Sequence, residues 1–308
     1  MKHVPVLLNE VLEVFDLDSG LSVVDCTLGD AGHAEAMLER TAPDGVLLGI
    51  DTDPEAVVRA KHFLESFGSR AVVVRDNFSH IDNILSKHGL SCVDRILFDL
   101  GWSSPQFAER GRGFSFLQVD EPLDMRFSSD IGVLGKNPSQ TAGHLLNVLS
   151  EQELERIFRE YGEERLAMDV ARAIVLYRSN NSLTTVGQLV DIILEVYRKK
   201  TNTTKEVPWI GGIHPATRVF QALRIAVNRE LEVLEQVLPK ALTSLCSGGR
   251  LGVISFHSLE DRIVKHFFKS QVRHGYRILT KKPITPSDEE AVANTRARSA
   301  KLRVIEKI

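Results

Sequence analysis

The chain has 308 residues, of which 43% are hydrophobic and 26% charged, and its formal net charge is −3. This composition predicts a soluble globular protein, long enough for one large domain with a sizeable insertion or for two domains. No apolar run is long enough to span a membrane, and residues 1–5 lack a signal-peptide core. We therefore expect a cytoplasmic protein without membrane contact.

The first hundred residues alternate between short apolar runs and amphipathic segments, which is typical of a parallel sheet with helical crossovers. The predicted strands are 23–26, 46–51, 71–75 and 94–100, and the helices between them lie near 32–40, 54–67 and 79–88.

After residue 107 the pattern changes to successive helices. Ser150 and Glu153 form a capping-box pattern that opens a helix ending at Gly162. Further helices are predicted over 164–178, 186–199 and 215–242, before a strand over 250–255. We therefore predict an α/β domain made of residues 1–107 and 214–308, interrupted by a helical insertion over 108–213.

The three cysteines, Cys26, Cys92 and Cys246, are far apart in the sequence and form no C-x-x-C motif. This spacing indicates neither a disulfide framework nor a zinc site, and we expect the three thiols to be reduced and buried. We find no cluster of metal-ligand residues in the sequence.

A Gly-rich turn follows the first predicted strand, and the second strand ends in Asp51. This arrangement is typical of a nucleoside pocket in an α/β sheet. Thr27 stands where a dinucleotide site has its first glycine, and Gly29 and Gly32 complete no phosphate-cradling pattern. Asp25 could meet an ammonium group and Asp51 a ribose, which favours S-adenosylmethionine as cofactor. The alternative is that both acids only cap helices.

The fourth predicted strand ends at Asp99, and ligands of open α/β sheets bind at the carboxyl ends of strands. An exocyclic base amine is a poor nucleophile, so a methylating site must accept its N–H bonds and align the nitrogen with the methyl group. Asp99 and the Leu100 carbonyl are the candidate acceptors. Alternatively, Asp99 only caps the following loop.

Positive charge concentrates near the end of the chain, where residues 262–308 hold 12 Lys and Arg against 4 Asp and Glu. A basic segment of this kind suits contact with nucleic-acid phosphates, and a solvated basic tail is the alternative.

Seven blocks of the chain resemble, in the same order, the signature blocks of the MraW family of bacterial methyltransferases. The blocks are residues 3–11, residues 25–33, Asp99-Leu100-Gly101-Trp102-Ser103-Ser104-Pro105-Gln106, Arg112-Gly113-Phe114-Ser115-Phe116, Pro122-Leu123-Asp124-Met125-Arg126, His214-Pro215-Ala216-Thr217-Arg218 and Ser255-Phe256-His257-Ser258-Leu259-Glu260-Asp261-Arg262. The resemblance implies a class I S-adenosylmethionine-dependent methyltransferase fold with a helical insertion. It also implies N4-methylation of a cytidine in the decoding region of 16S ribosomal RNA in the small subunit.

The resemblance also implies roles for individual residues. The cofactor contacts carried over are Ala31, Gly32, His33, Asp51 on the ribose, Phe78 near the adenine, and Asp99 and Gln106 near the methionine end. Two positions depart from the family pattern, which usually has Gly at 31 and a small aliphatic residue at 102. Trp102 could stack on the target base. Phe78 could equally be a core residue.

Other residues are candidates for the acceptor side of the site. His257 could face the base or take a proton, and capping the next helix is the alternative. The candidates for RNA contact are Arg112, Arg126, His214, Arg218, Arg296 and Arg298, each with surface charge or internal packing as the alternative. We expect the helical insertion to recognise structured RNA.

Two other functions remain open on the sequence. A DNA or adenine-amine methyltransferase would use the same chemistry at nitrogen, and a cofactor-binding ribosome-assembly protein would use none. The sequence does not indicate the oligomeric state.

Overall fold

The computed structural model divides the chain into two compact units, one of Met1–Gly101 with Leu231–Ile308 and the other of Trp102–Glu230. We call them the sheet unit and the helical unit. The residues that the structure describes are 5–101, 111–127, 140–203 and 213–308.

The described part of the sheet unit contains seven strands in the order β3-β2-β1-β4-β5-β7-β6. Strands β1 to β5 are parallel to one another, whereas β7 pairs antiparallel with both β5 and β6. The strands are β1 Ser22–Asp25, β2 Val46–Asp51, β3 Ala71–Arg75, β4 Val93–Asp99, β5 Leu245–Ser255, β6 Tyr276–Ile278 and β7 Lys301–Lys307. The first four agree with the predicted strands to within one residue.

Helices pack on both faces of this sheet, as the apolar runs of β1 and β4 require. Val24 and Phe98 belong to the apolar cluster on one face, and Val23 and Leu97 to the cluster on the other. The helices of the sheet unit are α1 Leu8–Phe15, α2 Gly32–Arg40, α3 Pro54–Phe63, α4 Ile81–Lys87, α10 Glu230–Thr243, α11 Ser258–Gln271 and α12 Asp288–Ala293.

The helical unit has its own apolar core, built from successive amphipathic helices. These are α5 Ala142–Val148, α6 Glu151–Gly162, α7 Ala167–Arg178, α8 Val186–Thr201 and α9 Thr217–Asn228. The predicted capping box at the start of α6 is confirmed, with Ser150 and Glu153 bonded reciprocally.

The prediction of one long helix over 215–242 is wrong. Arg229 has a left-handed backbone conformation with φ of 51°, which ends α9 and separates it from α10. The predicted boundary at 213 also places α9 in the α/β domain, whereas α9 packs within the helical unit. A Cβ added to Gly162 of α6 would lie 2.5 Å from the Arg218 carbonyl oxygen, so the two helices approach closely there.

The basic end of the chain is not a solvated tail, because residues 276–307 contribute the last two strands of the sheet. Arg303 is buried, and its Nε donates to Asp261 Oδ1 at 2.6 Å. Lys301 also lies near this carboxylate, with 3.7 Å between Nζ and Oδ2. The charge of Arg303 is therefore satisfied within the protein, which corrects its interpretation as a phosphate contact, whereas Lys301 is partly exposed beside the same carboxylate.

The cysteine prediction is wrong for two of the three residues. Cys92 and Cys246 form a disulfide, whereas Cys26 is free and buried. Cys92 directly precedes β4 and Cys246 lies at the start of β5, so the parallel pairing of these strands brings together residues separated by 154 positions. The bond could not be predicted because the two cysteines are far apart in the sequence.

None of the helices in the described ranges combines the length and apolar character needed to cross a membrane.

Replacing both residues of the disulfide, Cys92→Ser with Cys246→Ser, should lower the free energy of unfolding by about 2–4 kcal/mol, because the bond closes a long loop in the unfolded chain. Denaturant unfolding without reductant measures the difference. A thiol reductant should bring the wild type to the stability of the variant and leave the variant unchanged. Equal stabilities without reductant would contradict this contribution.

Candidate active site

The strand order reverses between β1 and β4, and each of these strands ends in an aspartate at the same edge of the sheet. Asp25 is 2% exposed and the side chain of Asp99 is 18% exposed. Crevices at such reversal points are where open α/β sheets bind ligands. The structure therefore brings the two predicted acids together at the expected position.

Thr27 connects the two strand ends. Its backbone N–H donates to Asp25 Oδ1 at 3.1 Å, and its Oγ1 accepts the backbone N–H of Asp99 at 2.6 Å. In the sequence, Thr27 stands out only because it occupies the position of the first glycine of a dinucleotide site. Its bridging role depends on strand pairing, so no local signal could have shown it.

Both acids hold their protons more strongly than an ordinary aspartate. Burial raises the pKa of Asp25 to about 7, and the nearby Asp51 adds to this effect. Burial also raises the pKa of Asp99 to about 7, with further contributions from the charges of Asp25 and Glu260 and an opposing one from Arg296. Perturbed carboxyls in a crevice are typical of functional sites.

Asp51 organises the Gly-rich turn. Its Oδ2 accepts the Gly29 N–H and its Oδ1 accepts the Asp53 N–H, both at 2.8 Å. Asp53 caps α3 instead, accepting from Glu55 and Ala56. The alternative that Asp51 is a helix cap is therefore wrong. Burial raises the pKa of Asp51 as well.

The loop after β1 places three predicted cofactor residues at the start of α2. Ala31 adopts a left-handed conformation with φ of 62°, a conformation that costs alanine about 1–2 kcal/mol and glycine much less. A Cβ at Gly32 would lie 2.5 Å from Pro5 Cγ, so this glycine makes room for the N-terminal segment. His33 is buried, with Nε2 3.0 Å from the Val6 carbonyl oxygen and Nδ1 3.8 Å from Asp99 Oδ2.

Phe78 is half-buried after β3, where its ring meets Phe98 edge to face with centroids 5.4 Å apart. The structure therefore supports packing against the core, and stacking on adenine stays a prediction.

His257 is the N-cap of α11, which is the alternative weighed for it. Its Nδ1 accepts the Glu260 N–H at 3.4 Å, and Glu260 Oε2 accepts the Phe256 N–H at 2.8 Å and the His257 N–H at 3.2 Å. Glu260 is buried, and its charge acts on Asp99. Glu260 was missed in the sequence, although its position three residues after a candidate cap was a usable signal.

Most of the residues predicted to contact RNA interact with other residues of the protein. Arg126 pairs with Asp124 through two hydrogen bonds, and Arg112 donates to the carbonyls of Arg126 and Phe127. His214 stacks on Phe116 with ring centroids 4.4 Å apart.

Three further arginines complete this set. Arg218 donates to the Glu163 carbonyl at 2.8 Å. Arg298 is exposed and donates to the Ala291 carbonyl, and the positive charge of Arg296 opposes the rise in the pKa of Asp99. Trp102 and Gln106 lie outside the described residues.

The sheet order, the antiparallel β7 and the acidic crevice between β1 and β4 define the Rossmann-like fold of class I methyltransferases. Comparison with known proteins agrees with this class. All 308 residues match the sequence model of a family described as the MraW methylase family. The chain belongs to this family.

Its relatives include proteins named ribosomal RNA small subunit methyltransferase H. The protein of Heliobacterium modesticaldum is 46% identical, covering 99% of this chain and 98% of the relative. That of Syntrophotalea carbinolica is 45% identical, covering 100% and 98%. Among solved structures, an rRNA methylase from Streptococcus thermophilus aligns over 99% of both chains at 11% identity with a TM-score of 0.44.

The raised pKa of Asp25 predicts a pH-dependent cost in stability. The carboxyl titrates at about 7 in the folded protein and at about 3.8 in the unfolded chain, so the folded state binds more protons between these values. Stability from this group is therefore greatest at low pH and falls as the pH rises through this window.

Asp25→Asn removes the charge and keeps an oxygen acceptor for Thr27. It should raise the free energy of unfolding by about 1–3 kcal/mol at pH 8 and change it little at pH 4.5. Denaturant unfolding at the two pH values measures this effect, with the exposed Asp44→Asn as the control that changes neither. A loss of stability at pH 8 would show that the carboxylate is not penalised there.

Proposed function

We propose that this protein methylates the exocyclic N4 amine of a cytidine in the decoding region of 16S ribosomal RNA, with S-adenosylmethionine as cofactor. The substrate is the small ribosomal subunit, and the reaction takes place in the cytoplasm. The observation that carries the proposal is the pair of carboxyls, the buried Asp25 and the half-buried Asp99, whose strand ends Thr27 links where the strand order reverses. The names of the relatives support ribosomal RNA as the substrate class.

The acidic side chains at the strand ends fit this cofactor. Three acids lie at the carboxyl ends of β1, β2 and β4, namely Asp25, Asp51 and Asp99. Such a set would repel a pyrophosphate, whereas it complements an ammonium group and ribose hydroxyls. When bound, the cofactor supplies an electrophilic methyl group on a positively charged sulfur.

In this proposal, Asp99 accepts a hydrogen bond from the target amine. A carboxylate accepts an N–H bond, and this bond strengthens as the nitrogen gains positive character toward the transition state. Gly101 donates its N–H to Oδ1 at 3.0 Å, which fixes the orientation of the carboxyl group. The target base must leave its stack to reach this position, as in other enzymes that modify bases.

Fewer basic side chains near the end of the chain are available to contact RNA than the sequence predicts. Arg303 and Lys301 are engaged with Asp261, whereas Arg298 is exposed. RNA contact through the exposed arginine and through the helical unit remains part of the proposal.

The ribose contact of Asp51 can be tested on the purified protein. Asp51→Ala should weaken binding of S-adenosylmethionine by about ten- to hundredfold, since it removes hydrogen bonds worth roughly 1.5–3 kcal/mol. Isothermal calorimetry measures the affinity.

Asp94→Ala is the matched control for this test, because Asp94 also accepts two hydrogen bonds, from Ser22, but lies at the opposite end of the sheet. It should bind the cofactor like the wild type. Unchanged affinity in Asp51→Ala would remove Asp51 from the site.

The proposed reaction is tested by transfer of a labelled methyl group to small subunits that lack the modification, followed by nucleoside analysis. We expect label in N4-methylcytidine. Label in methyladenosine, or in DNA supplied in a parallel reaction, would favour the alternative acceptors, and the absence of transfer would favour a cofactor-binding assembly protein.

In the same assay, Asp99→Asn should lower turnover by about 10²- to 10³-fold at saturating cofactor and RNA, because the amide keeps the shape and loses the charge. Asp94→Asn, at the other end of β4, should turn over at close to the wild-type rate. Normal turnover in Asp99→Asn would assign the acceptor role to the Leu100 carbonyl or the His257 loop.

A further inference from the structure

The N-terminal segment fixes the orientation of the His33 ring. Nε2 of His33 lies 3.0 Å from the Val6 carbonyl oxygen, and a carbonyl oxygen only accepts hydrogen bonds. Nε2 therefore carries the proton of the neutral ring. In this tautomer Nδ1 has a lone pair, and it points toward Asp99 Oδ2 at 3.8 Å.

The Val6 carbonyl is itself held in place by the C-terminal part of the chain. The same peptide unit donates its N–H, that of Leu7, to Glu290 Oε1 at 2.8 Å. Leu7 is fully buried in a left-handed conformation, which fixes the turn at the start of α1. Two successive hydrogen bonds, from His33 to Val6 and from Leu7 to Glu290, thus orient the ring of His33 in addition to packing.

Several charged and polar groups act on Asp99. The negative charges of Asp25 and Glu260 disfavour its ionised form, and the positive charge of Arg296 favours it. Thr27 accepts the Asp99 backbone N–H, and Gly101 donates to the carboxyl group. Among these groups, the imidazole of His33 is the buried base that faces the carboxyl oxygen.

We propose that His33 is a positioning residue that acts through Asp99, with Nδ1 taking up the proton that Asp99 receives from the target amine. The inference rests on the proposed function. In the transfer, the bond between the methyl carbon and sulfur breaks with its electron pair left on sulfur, and the bond between carbon and the amine nitrogen forms. The nitrogen then releases one proton to the Asp99 carboxylate.

The proton would pass from Asp99 to His33 Nδ1, which regenerates the carboxylate as one partner of an ion pair. The imidazolium formed keeps its Nε2–H bond to Val6, so the ring does not need to turn. Release of the proton to solvent then restores the neutral ring for the next cycle.

The resting geometry can be tested without activity, by nuclear magnetic resonance of the full chain labelled with ¹⁵N in histidine. The signals of His33 are assigned from their loss in His33→Gln. We expect the neutral ring to be the Nε2–H tautomer, and its titration midpoint to fall by about one pH unit in Asp99→Asn, since loss of the neighbouring carboxylate destabilises the imidazolium. An Nδ1–H tautomer, or an unmoved midpoint, would overturn the proposal.

Two variants separate proton uptake from structural support. His33→Gln can place an amide N–H near the former Nε2 and so keep the bond to Val6, whereas His33→Asn cannot reach it. The pH dependence of kcat is measured at saturating cofactor and subunit. We expect the acid limb of the profile to move to higher pH by about one unit in both variants, because neither supplies a base to Asp99.

A purely structural role gives the opposite pattern, in which His33→Gln behaves like the wild type and only His33→Asn loses activity, and this result would overturn the proposal. If the wild type transfers no methyl group to cytosine, the proposed function fails, and the resonance experiment still decides whether His33 and Asp99 are coupled.

Discussion

The site depends on keeping two carboxyl groups, the buried Asp25 and the half-buried Asp99, close together where the strand order reverses. Asp25 and Asp99 end neighbouring parallel strands, and the register of β1 with β4 places them at one edge. Burial disfavours their ionised forms, so the surrounding backbone must supply hydrogen bonds. Thr27 supplies one and receives another, which links the two strand ends directly. The ends of β1 and β4 that carry Asp25 and Asp99 are therefore linked through a single short turn.

The opposite end of the sheet anchors the segment that covers the loop after β1. Arg95, which is buried, donates to the carbonyls of Phe15 and Asp16 at the end of α1. Arg250 donates to the Val14 carbonyl at 2.7 Å. These cationic groups satisfy carbonyls that a helix end leaves unpaired, and they complement its negative dipole. These bonds hold the C-terminal end of α1. Near its N-terminal end, Val6 orients His33 through its backbone carbonyl.

Local pattern and strand direction were enough to predict the strands and their acidic ends, whereas contacts between distant residues could not be predicted. Asp25, Asp51 and Asp99 could be placed together because the carboxyl ends of parallel strands share one edge. Thr27 was missed because its role arises from strand pairing, and the Cys92–Cys246 bond because its partners are joined only by the pairing of β4 with β5. Likewise, the basic strand β7 looked like a tail until its pairing partners were known. The break at residue 229 involves no glycine or proline, so the sequence contained no usual signal for it.

The central claim is that the carboxyl group of Asp99 receives the target amine. A crystal structure of the protein with the demethylated cofactor and cytidine tests it most directly. We predict that the exocyclic nitrogen lies within about 3.2 Å of an Asp99 carboxyl oxygen, on the side of the site that also faces His33. A cytosine bound with its amine turned away from Asp99 and bonded to another group would contradict this claim.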